Sequence, residues 1–518
     1  MIDPTAETPD SPAWLRWGSL LLGPLAGAAV FWWLAQSGLS LPGRLTVAVG
    51  VLMAIWWIAE TIPVEATSLL PMALFPLLGI SGMKEACAPY GDPVVFFFMG
   101  GMLIGAAMEK WGLPRRFALG VLSVMGGRPV ALVGGVVLAT GIISMWVNNT
   151  STAVMMLPIA LSLHRFVSTH AAPGESSGVR NFGTCLMLGV AYAASIGGVG
   201  TLFGSSPNVI LTGQLRESLH QTMSFVEYAR IGIPVMLLLL PAAWIALVVM
   251  YPPRVREIAG LKELVAKERS ELGPLCPGER AVLAVFLLAM AGWILLEPIN
   301  DLLARSGSKA ALTEAGVAIC AALMLFLIPV SLKHREFALD WKTGGKIPWG
   351  ILLLFGGGMS LAEALRKHGV NEAIGEHFSH FGGAHPLLVL ALVTIVLIAI
   401  TEVASNTAVA TTFIPIAIAV APAIGIHPFL LATAVALAAS NGFALPIGTP
   451  PNALAYATGR VSMGRFVRAG IVLDICAAIA ITSVLYFGNG WLFSLPRVPG
   501  APTAKSVTPT GPTQESGR

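Results

Sequence analysis

Long apolar runs follow one another along this chain, separated by short polar joints, and most runs have the length of membrane helices. At roughly 20 apolar residues per spanning helix, the pattern predicts about eleven spanning segments. Two further apolar stretches are interrupted near their middles and read as re-entrant hairpins. The first run, from about Leu20 to Leu39, is expected to persist as a helix, because the preceding MIDPTAETPDSPAW lacks the basic region of a signal peptide. The predicted class is an all-α polytopic membrane protein.

Composition agrees with the pattern. Only 11% of the 518 residues are charged and 55% are hydrophobic, against about 25% charged in soluble domains. The net charge of +4 is better read as loop bias than as a partner surface, and no nucleic-acid partner is expected. Cys87, Cys185, Cys276, Cys320 and Cys476 are scattered, which argues for neither a disulfide framework nor a metal site.

Two polar stretches break the apolar sequence. Tyr251 to Arg280 is charged with helical Leu and Ile spacing and reads as an amphipathic link at the membrane surface. Ser494 to Arg518 is rich in Pro, Thr and Ser and reads as a disordered tail. On either side of the link the halves resemble each other. PVVFFFMGGMLIGAAMEKWGLPRRFA from Pro93 matches PWGILLLFGGGMSLAEALRKHGVNEA from Pro348. Asn149-Thr150 matches Asn406-Thr407, and TLFGSSPNVILTG from Thr201 matches LPIGTPPNALAYATG from Leu445. Gly and Ala packing could explain one such match but not three in register. Five spanning helices and one hairpin per half would invert the second half relative to the first, the architecture of secondary transporters. Placing the N-terminus in the cytoplasm puts 20 of the 31 Lys and Arg residues on that side, as the positive-inside rule favours. The first hairpin then opens to the cytoplasm and the second to the outside.

Unpaired backbone in lipid costs several kcal/mol, so irregular backbone is tolerated only where protein or a polar cavity covers it. Four irregular points are predicted: the tips Asn148-Asn149-Thr150 and Ser405-Asn406-Thr407, and the breaks Gly204 to Asn208 and Gly448 to Asn452. Ser, Thr and Asn cap helix starts, so each point can begin a half-helix with its positive end directed inward. Free N–H groups and hydroxyls there attract an anion, while carbonyls and side-chain oxygens suit a small hard cation. Interhelical packing by small polar residues would explain one such element more readily than four paired ones.

Charge is sparse around these points. Pro129–Leu163, Gly183–Leu215 and Pro428–Gly459 carry no charged residue, and Pro386–Pro422 carries only Glu402. Helix ends supply roughly half a charge each, too little for a dianion, so co-bound cations are expected and cation symport is favoured over unassisted exchange. Glu402 is balanced between a functional carboxylate and a structural acceptor for backbone N–H groups. No HExxH, GxSxG or paired acids point to an intramembrane enzyme, and proton-coupled antiport would call for more membrane carboxylates.

MWVNNTSTAVMMLPIA, AYAASIGGVGTLFGSSPN, TEVASNTAVATTFIPIA and ALPIGTPPNALAYATG together resemble the divalent anion/sodium symporter family, the sodium-coupled dicarboxylate, citrate and sulfate carriers. The resemblance covers about Leu41 to Leu495. It implies an elevator-type homodimer in the bacterial cytoplasmic (inner) membrane, bounded by lipid. Residues 1–40 would form the N-terminal segment and first helix, 41–128 and 281–385 the scaffold, 129–250 and 386–493 the transport part, 251–280 the cytoplasmic link and 494–518 the tail. Carried over by motif, Asn149, Thr150, Ser405, Asn406, Thr407, Thr449, Pro450, Ser205 and Ser206 would contact substrate. One Na+ site would use Ser144, Asn148, Asn149 and Gly200. The other would use Thr401, Ala404, Asn406 and Gly448. Asn148 departs from the family's usual serine at the first tip. Two similar tips suit a C4-dicarboxylate such as succinate, malate or fumarate. Citrate or sulfate transport, and sodium-independent exchange within the same family, are the alternatives.

Overall fold

A computed structural model describes residues 13–171, 175–255, 260–331, 333–378, 385–493 and 495. The acidic N-terminal stretch up to residue 12 and the Pro/Thr/Ser-rich tail, apart from residue 495, lie outside the described residues. Apart from a two-stranded ribbon, Pro329–Ser331 against Glu336–Phe337, the described regular structure is helical.

Counting each broken helix once and setting the hairpins aside, the helices group into the expected eleven traverses. Six precede the link, at 13–33, 41–58, 64–77, 93–110, 176–219 and 225–250, and five follow it, at 277–294, 314–327, 349–367, 428–457 and 463–487. Seven described helices are long and apolar enough to cross a membrane by length and composition alone, and six shorter apolar helices accompany them. The shortfall has a physical origin. Glu314–Leu327 has 14 residues, about 21 Å of helix at 1.5 Å per residue, against a hydrocarbon core of about 30 Å. Val64–Leu77, at the same place in the first half, is equally short. The first helix begins at Ala13 and ends at Trp33, earlier at both ends than the apolar run suggests.

The halves share their element order. In each, a long helix (Pro93–Lys110, Trp349–Lys367) ends at a left-handed glycine, Gly112 with φ 69° or Gly369 with φ 70°. A short amphipathic helix follows, Leu113–Val124 or Val370–Phe378. Then comes a hairpin: Pro129–Ser144 with Asn149–His170, or Pro386–Thr401 with Asn406–Val420. A broken helix comes next, Ser176–Gly198 with Ser206–Leu219, or Pro428–Ala439 with Pro450–Ala457. A glycine at each turn lets the chain reverse without the Cβ clash that other residues meet at positive φ.

The leading half-helices of the broken pair form the centre. Every residue from Phe182 to Gly198 is buried, as is every residue from Pro428 to Ala439. The first stretch is rich in Gly and Ala and the second in Ala, which lets neighbours approach closely. A Cβ on Gly197 would lie 2.1 Å from the carbonyl oxygen of Gly141 on the first hairpin, so that crossing accepts only glycine.

The charged link is packed, not loose. Its helix Leu261–Glu271 lies along Leu113–Val124 with Val265 buried beneath it. Arg116 donates to both carboxylate oxygens of Glu279 at 2.7 and 3.0 Å and to the carbonyls of Leu272 and Gly273. Arg115 pairs with Glu268 at 2.9 Å, and Arg269 donates to Ser123.

Candidate functional site

Both hairpin tips and both helix breaks open onto one cavity of about 1290 Å³. Asn149, Thr150, Ser205, Ser206, Ser405, Asn406, Thr407, Thr449 and Pro450 all line it, and so do Asn148, Ala404 and Gly448. Ser144 and Thr401 sit one layer behind, fully buried. Gly200 stands apart from the wall, against Met145 and Met236. The backbone beside Asn149 belongs instead to Gly198 and Gly204.

The four half-helix starts are finished in two ways. Asn148 accepts from the Ser151 N–H at 2.8 Å, and Thr449 accepts from the Asn452 N–H at 3.3 Å. Those two starts are capped by their own side chains. Ser405 and Ser205 form no such cap. Ser205 Oγ instead lies 3.2 Å from Ser440 Oγ, joining the two breaks. First-turn N–H groups at the Ser405 start thus remain available to an anion in the cavity. At the Ser205 start, by contrast, Pro207 has no N–H and the Asn208 N–H donates to the Ser205 carbonyl at 3.2 Å.

Behind the wall the same polar network is built twice. Ser144 Oγ lies 2.8 Å from the Asn149 carboxamide and donates to the Ala194 carbonyl at 2.6 Å. Thr401 Oγ1 lies 2.8 Å from Asn406 Oδ1 and 3.0 Å from the Ala439 carbonyl. The backbone carbonyls come from near the ends of the two central half-helices, Ala439 being the last residue of its own. Hydroxyl, carboxamide and carbonyl oxygens converging in this way form the donor set of a small hard cation. Among the described residues no group of three His, Cys, Asp or Glu offers an alternative metal site.

The breaks are held open by two buried amides. Asn208 donates to the carbonyls of Gly198 and Thr201, both at 2.8 Å. Asn452 donates to those of Gly442 and Leu445, both at 3.1 Å. The irregular backbone extends further upstream than the Gly-Ser/Thr-x-Pro-Asn motif suggests, from Val199 and from Ser440. Glu402 accepts from the N–H groups of Ala444 and Leu445 at 2.8 and 2.6 Å. It braces the second break rather than its own tip. Asp474, on Met463–Phe487, reaches the same loop and accepts from the Phe443 N–H at 3.1 Å. In the sequence Asp474 is marked only as the one acid in the final traverse, beyond Arg465 and Arg468 near its start.

The opposite wall of the cavity carries charge that the hairpin and broken-helix segments lack. Glu60, Glu109, Lys110 and Lys346 line it. Lys110 Nζ is held 2.7 Å from Asp340 Oδ2 and 3.1 Å from the Phe337 carbonyl, and its hydrogen bond keeps the Asp340 carboxyl below the ordinary range. Phe203, from the first break, meets this wall against Phe97, Phe98 and Trp293. A Cβ on Gly101 would lie 2.2 Å from its ring.

Two hairpins and two broken helices around one polar cavity, in an otherwise apolar helical bundle, define a membrane transporter and not an enzyme. Residues 16–495 match the family described as the sodium:sulfate symporter transmembrane region, and the chain belongs to that family. It is 35% identical over 472 residues to the sodium-dependent dicarboxylate transporter SdcS of Staphylococcus saprophyticus, covering 90% of each chain. It is 34% identical, with the same coverage, to SdcS of Staphylococcus aureus. Among solved structures it resembles the YdaH transporter of Alcanivorax borkumensis, with a TM-score of 0.53 and 16% identity over 88% of this chain and 100% of that one. MtrF of Neisseria gonorrhoeae gives 0.51 and 14% over 92% and 99%. At those identities the structural likeness concerns the fold.

Proposed function

We propose that this protein is a sodium-coupled symporter of a C4-dicarboxylate such as succinate, malate or fumarate. The observation that carries the reading is the doubled network of Ser144, Asn149 and Ala194 with Thr401, Asn406 and Ala439. Two oxygen clusters of cation-ligating chemistry stand directly behind two anion-attracting helix starts. The names of the staphylococcal relatives support both sodium and dicarboxylate.

In this reading each tip receives one carboxylate. Thr150, Ser405 and Thr407 supply hydroxyls, and Asn149 and Asn406 supply amides. Thr449, Pro450, Ser205 and Ser206 bound the substrate from the breaks. One sodium ion uses Ser144, Asn149 and the carbonyls of the first broken helix, with Asn148 close by. The other uses Thr401, Asn406 and the backbone around Ala404 and Gly448. Bound sodium supplies the positive charge that the site-forming segments lack. Empty sites then leave the dianion with only Lys110 and Lys346, across the cavity from the tips, and Lys110 is already paired with Asp340, which couples the two fluxes.

The hairpins and broken helices would move as a unit, residues 129–250 with 386–493. Residues 41–128 and 281–385 would stay fixed within a homodimer in a bacterial inner membrane, with the N-terminus in the cytoplasm. Competition for labelled succinate uptake tests the substrate assignment. Malate and fumarate should compete at concentrations close to unlabelled succinate, and citrate and sulfate only at far higher ones. Stronger competition by citrate or sulfate would reassign the cargo within the family.

A further inference from the structure

The Asn149 side chain stands between the first oxygen cluster and the cavity, and its two faces see opposite chemistry. The inward arm of its carboxamide lies 2.8 Å from Ser144 Oγ, 2.9 Å from the Ala194 carbonyl and 3.1 Å from the Gly204 carbonyl. All three partners are oxygens. Ser144 has one hydroxyl proton, and the Ala194 carbonyl takes it at 2.6 Å. An inward Asn149 oxygen would therefore face lone pairs on every side. An inward N–H₂ brings two protons to share among these three acceptors. With no cation present, electrostatics favours the amide nitrogen inside and the amide oxygen toward the cavity.

A cation reverses the preference. Placed among Ser144 Oγ, Ala194 O and Gly204 O, it requires an oxygen from Asn149 and repels N–H₂. The carboxamide then turns over about its Cβ–Cγ axis. Its nitrogen now faces the cavity that Asn149 lines, where a substrate carboxylate needs a donor. The terminal torsion of asparagine is broad and roughly two-fold, so the turn requires no backbone movement.

We infer that Asn149 is a sodium-operated amide switch: without sodium it presents an oxygen that repels the substrate carboxylate, and with sodium it presents a donor that binds it. This inference rests on the sodium and dicarboxylate reading above and adds a mechanism for coupling through the first site. Its counterpart Asn406 keeps its oxygen toward Thr401 Oγ1, so the switch belongs to the first tip.

The direct test follows the amide nitrogen. Full-length protein carrying ¹⁵N-asparagine and carbonyl-¹³C-alanine is reconstituted in liposomes and studied by magic-angle spinning, with N149D identifying the Asn149 signal by difference. In choline buffer the Asn149 side-chain nitrogen should show dipolar contact with the Ala194 carbonyl carbon, and sodium should abolish it. Thermal stability is recorded in parallel, without succinate. Persistence of the contact while sodium still stabilises the protein overturns the switch and leaves the site intact. Absence of any sodium stabilisation overturns the site reading as well.

N149D provides a second readout. Aspartate offers oxygen inward and only oxygen outward, so the sodium midpoint of stabilisation should stay within about threefold of wild type or improve. Succinate affinity in saturating sodium should fall about tenfold or more, as for a lost charged hydrogen bond. Unchanged succinate affinity in N149D would overturn the inference.

Discussion

Ser144 and Thr401 occupy equivalent places in the two halves of the chain. Each hydroxyl lies 2.8 Å from the carboxamide of an asparagine five residues further on. Each also bonds the carbonyl of an alanine near the end of a central half-helix. Ser144→Ala and Thr401→Val each remove one oxygen from one cluster and leave the cavity wall intact. Losing such a group corresponds to about 1 kcal/mol, or roughly fivefold in affinity. Sodium titrations of uptake should show each half-saturation point raised several-fold, with the order of preference among competing anions unchanged.

Asn208 and Asn452 are fully buried and hold the two breaks through paired bonds to backbone carbonyls. Leucine at either position strands two carbonyls in the protein interior, at about 1–3 kcal/mol for each one left unpaired. Thermal unfolding of purified Asn208→Leu and Asn452→Leu should occur at clearly lower temperature than wild type, with transport lost in both.

Glu402 and Asp474 reach the same loop with different geometry. Glu402 uses both oxygens on two N–H groups, and Asp474 uses Oδ1 on one. A glutamine at 402 must turn an N–H₂ toward one of those N–H groups, whereas an asparagine at 474 keeps its accepting oxygen. Glu402→Gln is therefore expected to reduce sodium-dependent uptake about tenfold. Asp474→Asn should retain most of it. Initial rates corrected for the amount of protein in the membrane compare the two.

At the first tip, Asn148 serves as a helix cap through its oxygen. Serine caps as well as asparagine, whereas alanine costs about 1 kcal/mol. Asn148→Ser should preserve transport, and Asn148→Ala should lower stability and rate together. Asn406→Ala, which removes a member of the second cluster and of the cavity wall at once, should abolish transport at normal expression.

The tips and breaks were legible because Asn, Ser, Thr and Pro-Asn inside apolar runs are costly unless something polar covers them. The internal repeat fixed their pairing, and the nine residues expected to touch substrate do line one cavity. Other parts of the site left little trace. The Ala194 and Ala439 carbonyls are backbone atoms, and no residue type announces them. Gly200 and Gly204 lie in the same glycine-rich stretch, and only folding distinguishes which one stands beside Asn149. Glu60, Glu109, Lys110 and Lys346 come from helix ends distant in sequence, and helix packing brings them to the opposite wall. The traverses at 64–77 and 314–327 are among the eleven expected, but their shortness emerges only with the helix ends.

The central claim is that cation occupancy behind the two tips makes dicarboxylate binding possible. Uptake of labelled succinate into proteoliposomes under an inward sodium gradient tests it most directly, with potassium or choline replacing sodium in the control. Rapid accumulation in sodium and near-background uptake in the replacements is the predicted result. Equal uptake in all three buffers would contradict the coupling.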